Sequence, residues 1–176
     1  LAWGAKEILR GDFKRIDYGR IILPFIVLRR LGRVLEETKE DVLKELEKHK
    51  GTDENLLEAI LNDVSKQKFH NKSKYDLELL LADPENIYKN MKTYLRGFSK
   101  DIRDIFENFK FNNTIDELNK QGLLYHIVQH FAKAPLDPKT IDQYKMGTIY
   151  ETLIRKTSEA TNEEAGEHFT PREVIR

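Results

Sequence analysis

Cysteine is absent from the 176 residues, which excludes disulfides and thiolate metal sites and fits a reducing compartment such as the cytoplasm. A net charge is absent too, since 30 Lys plus Arg balance 30 Asp plus Glu. Free-standing nucleic-acid or membrane-surface binders are normally basic, so neutrality argues against either acting alone, though not against a part of a larger machine. The most apolar run, residues 21–28, ends at Arg29 and Arg30, far short of the roughly 20 residues that a membrane span needs. Leu1-Ala2-Trp3-Gly4 has no basic n-region. The expectation is a soluble chain with no membrane contact. Glycine is sparse and scattered, at positions 4, 11, 19, 32, 51, 97, 122, 147 and 166. A nucleotide-binding loop needs closely spaced glycines after a strand, so neither a dinucleotide fingerprint nor a P-loop is present.

What the sequence does have is helical periodicity almost throughout, with no convincing strand alternation. Residues 2–9 form a helix that Gly11 stops. Asp17 can cap a second helix that runs into a charged stretch near Lys50. Its segment 21–28 is apolar all round and belongs in the middle of the core, with Pro24 either in the first turn or at a kink. Gly51 and Asp53 stop one helix and cap the next, over 55–68. Residues 69–73 are a polar loop, followed by a short helix over 75–81. Asp83-Pro84 opens another helix to about Arg96, closed by Gly97. Ser99 caps residues 100–108, Thr114 caps a short turn through Asn119, and 121–133 is amphipathic. Pro135 and Pro138 make a stiff connector before a helix over about 139–156. The expected architecture is an all-α domain over residues 1–157 with roughly seven to nine helices. A polar linker then opens the stretch 158–176.

Three constellations invite a chemical reading. His126 and His130 share a helix face at a spacing that can suit a metal, but Ile127-Val128-Gln129 between them lacks the glutamate of a zincin helix. They read as packing or surface histidines, and no metal is expected. Arg29, Arg30 and Arg33 form a basic patch on one helix; they can meet DNA phosphate, or pair with acids such as Glu36 and Glu37, or contact another subunit. The segment 147–154 reads as helix interior, with Gly147 open to a close helix approach, Tyr150 at an interface, and Leu153 and Ile154 facing the core.

The final segment, Gly166-Glu167-His168-Phe169-Thr170-Pro171-Arg172-Glu173, is a helix start: Thr170 as cap, Pro171 at the first position and Glu173 reaching back. Its open N–H groups can meet an anionic group such as a carboxylate, with the Phe169 face just upstream. Barely begun at Arg176, such a helix is not stable alone, so the expectation is a longer protein cut at this point.

Taken together, three stretches resemble the N-terminal part of the modification subunit (HsdM) of type I restriction–modification systems. They are Leu9-Arg10-Gly11 with Ile22-Leu23-Pro24 and Leu28-Arg29-Arg30-Leu31; Phe98-Ser99-Lys100-Asp101-Ile102-Arg103-Asp104-Ile105; and residues 146–154 with 166–174. The resemblance covers nearly the whole chain in order.

It implies a DNA adenine-N6 methyltransferase subunit using S-adenosylmethionine, with the helical domain placed ahead of a Rossmann-like catalytic domain. The cofactor pocket would draw on Glu167, His168, Phe169, Thr170, Pro171 and Arg172, and the helical domain would help to clamp DNA; the basic patch makes Arg29, Arg30 and Arg33 the candidates for that contact. Implied partners are a specificity subunit, a restriction subunit, a second modification subunit and double-stranded DNA. The family's Asn/Asp-Pro-Pro-aromatic motif orients an adenine flipped from the duplex. No Pro-Pro pair occurs here, so the chain alone is expected to be inactive and not to hold the cofactor. The rival reading is a non-enzymatic helical module that binds protein or DNA.

Overall fold

The computed structural model describes the backbone of residues 2–166 and the side chains of residues 3–155. Its helices are α1 (Ala2–Leu9), α2 (Tyr18–Leu35), α3 (Lys39–Lys48), α4 (Glu54–Ser65), α5 (Leu77–Leu81), α6 (Ile87–Gly97), α7 (Lys100–Asn108), α8 (Phe111–Lys120), α9 (Leu124–Ala132) and α10 (Gln143–Gly166), with short 3-10 turns at Arg15–Asp17, Glu36–Thr38 and Pro84–Asn86. Among the described residues there is no strand, only two isolated bridges. The all-α architecture read from the periodicity is the architecture found.

The centre is α2. Ile21, Ile22, Phe25, Ile26 and Leu28 are buried along one broad face, while Leu23 and Val27 on the remaining side are half-buried, so the segment read as apolar all round is covered most fully on its core side. Pro24 lies inside the helix, where its ring nitrogen has no hydrogen to give the preceding turn. From this hub a chain of rings crosses the core: Phe131 stacks on Phe25 at 5.3 Å, and Phe25 meets Phe111 edge-on at 4.9 Å. Phe106, Phe98 and Tyr94 continue it at centroid spacings of 5.3, 5.7 and 5.1 Å. Such pairs add about 0.5–1.5 kcal/mol each beyond area burial, and here they tie α2, α6, α7, α8 and α9 into one body.

Several local expectations change under tertiary packing. The helix expected to continue from α2 to Lys50 breaks at Glu36–Thr38, where the Thr38 hydroxyl turns back to the carbonyls of Leu35 and Ser65. Thr114 caps nothing: it is buried inside α8, whose chain reverses at Lys110 with φ 55° so that Phe111 enters the core. Ser99 precedes α7 but gives it no side-chain cap; its hydroxyl accepts from the His70 amide at 3.3 Å.

The loop 69–73, read as merely polar, is pulled inward. His70 is fully buried and Asn71 nearly so. Asn71 Nδ2 donates to the Tyr94 carbonyl at 2.9 Å, and its Oδ1 accepts from the Ser73 amide and hydroxyl. Lys72 N donates to the Gly97 carbonyl at 2.7 Å. This close approach needs Gly97, because a Cβ there would lie 2.5 Å from Asn71 Oδ1 and 3.0 Å from Ser73 N. At the far end, α10 begins at Gln143, with Asp142 accepting from Lys145 N at 2.8 Å. Its backbone stays helical through the stretch 158–165 expected to be a linker.

Candidate functional site

The three arginines of α2 project from positions 29, 30 and 33 of a largely buried helix, so their reach is set by the elements packed over it. Arg29 is 7% exposed. Its Nε donates to the Ala134 carbonyl at 3.1 Å, and its Nη1 pairs with Glu78 at 2.7 Å. Arg30 Nη1 donates to the carbonyls of Leu136 and Ile141 at 3.1 and 2.6 Å. Arg33 bridges Glu36 at 2.6 Å and Asp137 at 2.8 Å. The pairing with Glu36 is one of the alternatives visible in the sequence; Glu37 instead pairs with Lys139 at 2.8 Å.

The patch therefore grips the connector between α9 and α10. Its proline-rich backbone cannot satisfy its own carbonyls by helix formation, and guanidinium donors do so instead. Charge settles on this seam. Asp137 is held below the usual carboxylate range by the Lys139 amide, then by Arg33. Lys139 in turn is raised by its contact with Glu37.

His126 is exposed and His130 half-buried on α9, facing a shallow cleft shared with Ile8 and Lys133. Gly4 of α1 packs against the His130 ring so closely that a Cβ would collide with it. No cluster of three potential metal ligands occurs among the described residues. On α10, no atom of the described residues lies within 4 Å of a Cβ built on Gly147, so none of the described helices packs against it closely. Tyr150 and Leu153 are half-buried against the core, whereas Ile154 is 53% exposed, a correction that follows from its place one step past the buried stripe. The residues expected at a cofactor pocket, Glu167, His168, Phe169, Thr170, Pro171 and Arg172, lie outside the described residues.

A further cleft is one that sequence reasoning did not single out as a site. It measures about 640 Å³ and opens between the end of α6, α7 and the start of α8. Arg96, Lys100, Arg103 and Lys110 stand around it over a floor of Leu95, Phe106 and Phe111. The available signal was the 98–105 stretch, whose amphipathic spacing sets Lys100 and Arg103 on one face and Ile102 and Phe106 on the other.

A family model described as the HsdM N-terminal domain matches residues 2–131. A second, described as N-6 DNA Methylase, matches residues 141–176. The junction falls in the connector held by the α2 arginines. No curated protein and no solved structure matches the chain.

Proposed function

The chain belongs to the HsdM N-terminal domain family, as an N-terminal part of a type I restriction–modification modification subunit, and from that premise we propose that its parent protein transfers a methyl group from S-adenosylmethionine to adenine N6 in DNA. The observation that carries this reading is the order of the two matches: a helical domain over 2–131, and the opening of an N-6 DNA methylase directly behind it. The helical domain assists by helping to clamp DNA and by contacting the specificity subunit, the restriction subunit and a second modification subunit.

The cofactor supplies the methyl group when bound. Glu167, His168, Phe169, Thr170, Pro171 and Arg172 form one wall of its pocket in this proposal. The supporting chemistry is that of the sequence: Thr170 before Pro171 is the pattern of a helix start, whose N–H groups suit a carboxylate, and Phe169 supplies an aromatic ring. Because the chain holds no Pro-Pro pair, the motif that handles the target adenine is not among its residues, and the 176 residues alone are expected to transfer no methyl group.

Calorimetry with S-adenosylmethionine tests the wall. In the whole protein, Phe169→Ala is expected to weaken cofactor binding about tenfold, or ~1.4 kcal/mol. The 176-residue chain itself is expected to bind little or none. Unchanged affinity in the variant removes Phe169 from the pocket.

A further inference from the structure

Phosphate recognition needs cations whose donors are not already spent inside the protein. The α2 arginines are largely spent. Those around the α6–α8 cleft are freer: Arg96, Lys100, Arg103 and Lys110 are all exposed, Arg96 reaches Thr93 Oγ1 at 3.4 Å, and the side chains of Arg103 and Lys110 make no hydrogen bond or ion pair among the described residues.

Four cations there face two carboxylates, Asp104 and Glu107, of which Asp104 is engaged by Lys100 at 3.2 Å. The cleft thus concentrates positive charge in a chain whose total is zero. Its walls are also firmly founded. Phe106 and Phe111 belong to the ring chain of the core, and Ile102 anchors α7 from behind. Asn112 and Asn113 line the cleft with amides that can donate to phosphate oxygens, and Lys92 Nζ fixes the Asn112 carbonyl at 3.2 Å.

We propose that this cleft is where the domain grips the phosphodiester backbone of duplex DNA, through Arg96, Arg103 and Lys110, with Lys100 joining when it leaves Asp104. The inference rests on the DNA methyltransferase reading above and gives the clamp a location. Contacts of this kind position the duplex without reading its sequence. That division of labour suits an assembly in which a separate subunit reads the bases.

The test is fluorescence anisotropy of a labelled duplex with the full chain across a salt series. Each phosphate contact contributes about 0.9 to the slope of log affinity against log salt. Arg96→Gln, Arg103→Gln and Lys110→Gln together are expected to flatten that slope by about 2 to 3, with an unchanged circular dichroism spectrum. Should the triple variant lose its fold, Arg103→Gln alone is expected to lower the slope by about 0.9.

An unaltered slope, with Arg29→Gln and Arg30→Gln flattening it instead, would move DNA to α2 and overturn the cleft while leaving the DNA reading intact. A wild-type chain that ignores duplex even at low salt overturns the cleft, while the methyltransferase reading stands or falls on the whole protein. Intact DNA binding together with lost binding of polyglutamate would assign the cleft to an acidic protein partner, and the proposal would fall.

Discussion

At His70 the chain buries a titratable ring completely and gives it one strong hydrogen bond. Nδ1 lies 2.7 Å from Asn62 Oδ1. That oxygen can only accept, so Nδ1 carries the proton and Nε2 is left as a bare acceptor. Nε2 has no hydrogen-bond partner and faces Glu58 Oε1 at 3.6 Å. Lys72 approaches the same carboxylate at 3.6 Å, so the glutamate's charge is shared. Burial first, then Lys72 and Arg103, push the His70 pKa down from 6.5 to about 4.

The sign follows from linkage. Between those two values the unfolded chain binds a proton that the folded chain refuses, so folding stability falls as pH drops from 6.5 towards 4. Melting temperatures of the wild type and His70→Gln over this range check the point. The wild-type curve is expected to fall more steeply, and parallel curves would show that His70 is not the group responsible.

At the scale of elements, the seam between α2 and the connector decides where α10 stands. Arg30 alone satisfies two carbonyls, those of Leu136 and Ile141, and each such part-buried bond contributes about 1 kcal/mol. Arg30→Ala is therefore expected to speed amide hydrogen exchange over residues 143–155 by roughly tenfold or more, leaving α4 unchanged. Equal protection in wild type and variant would mean that α10 is held by its apolar face alone.

The same seam shows what a sequence reveals and what it hides. Asp53 as a helix cap was legible because its acceptor serves Leu56 N, three residues away. Gly97 as a helix end was legible too, but the contact that requires it, with Asn71 and Ser73, was not, because folding alone brings those residues together. The cluster of Arg29, Arg30 and Arg33 was equally visible, but their carbonyl and carboxylate partners in the connector lie more than a hundred residues along the chain. No local rule chooses between those partners and a phosphate. Thr114 misled for a related reason: hydroxyl propensity favours a cap, while burial of Phe111 and Ile115 started α8 earlier. The α6–α8 cleft was hidden because its cations come from three elements that only folding brings around one space.

For the molecule as a whole, a neutral chain without a nucleotide loop folds into a helical body organised on α2, with four exposed cations set around one cleft. The α2 arginines lock the other end, where the family match passes from helical domain to N-6 methylase. In the proposed assembly the helical body holds duplex DNA and partner subunits while the methylase part works on an extruded base.

The most direct measurement is mass spectrometry of DNA nucleosides after incubation with S-adenosylmethionine and the whole modification subunit assembled with its specificity partner, with and without residues 2–131. The account predicts N6-methyladenine from the intact assembly and a large loss of it without the helical domain. Equal methylation by both proteins, or no methylated adenine from either, would contradict it.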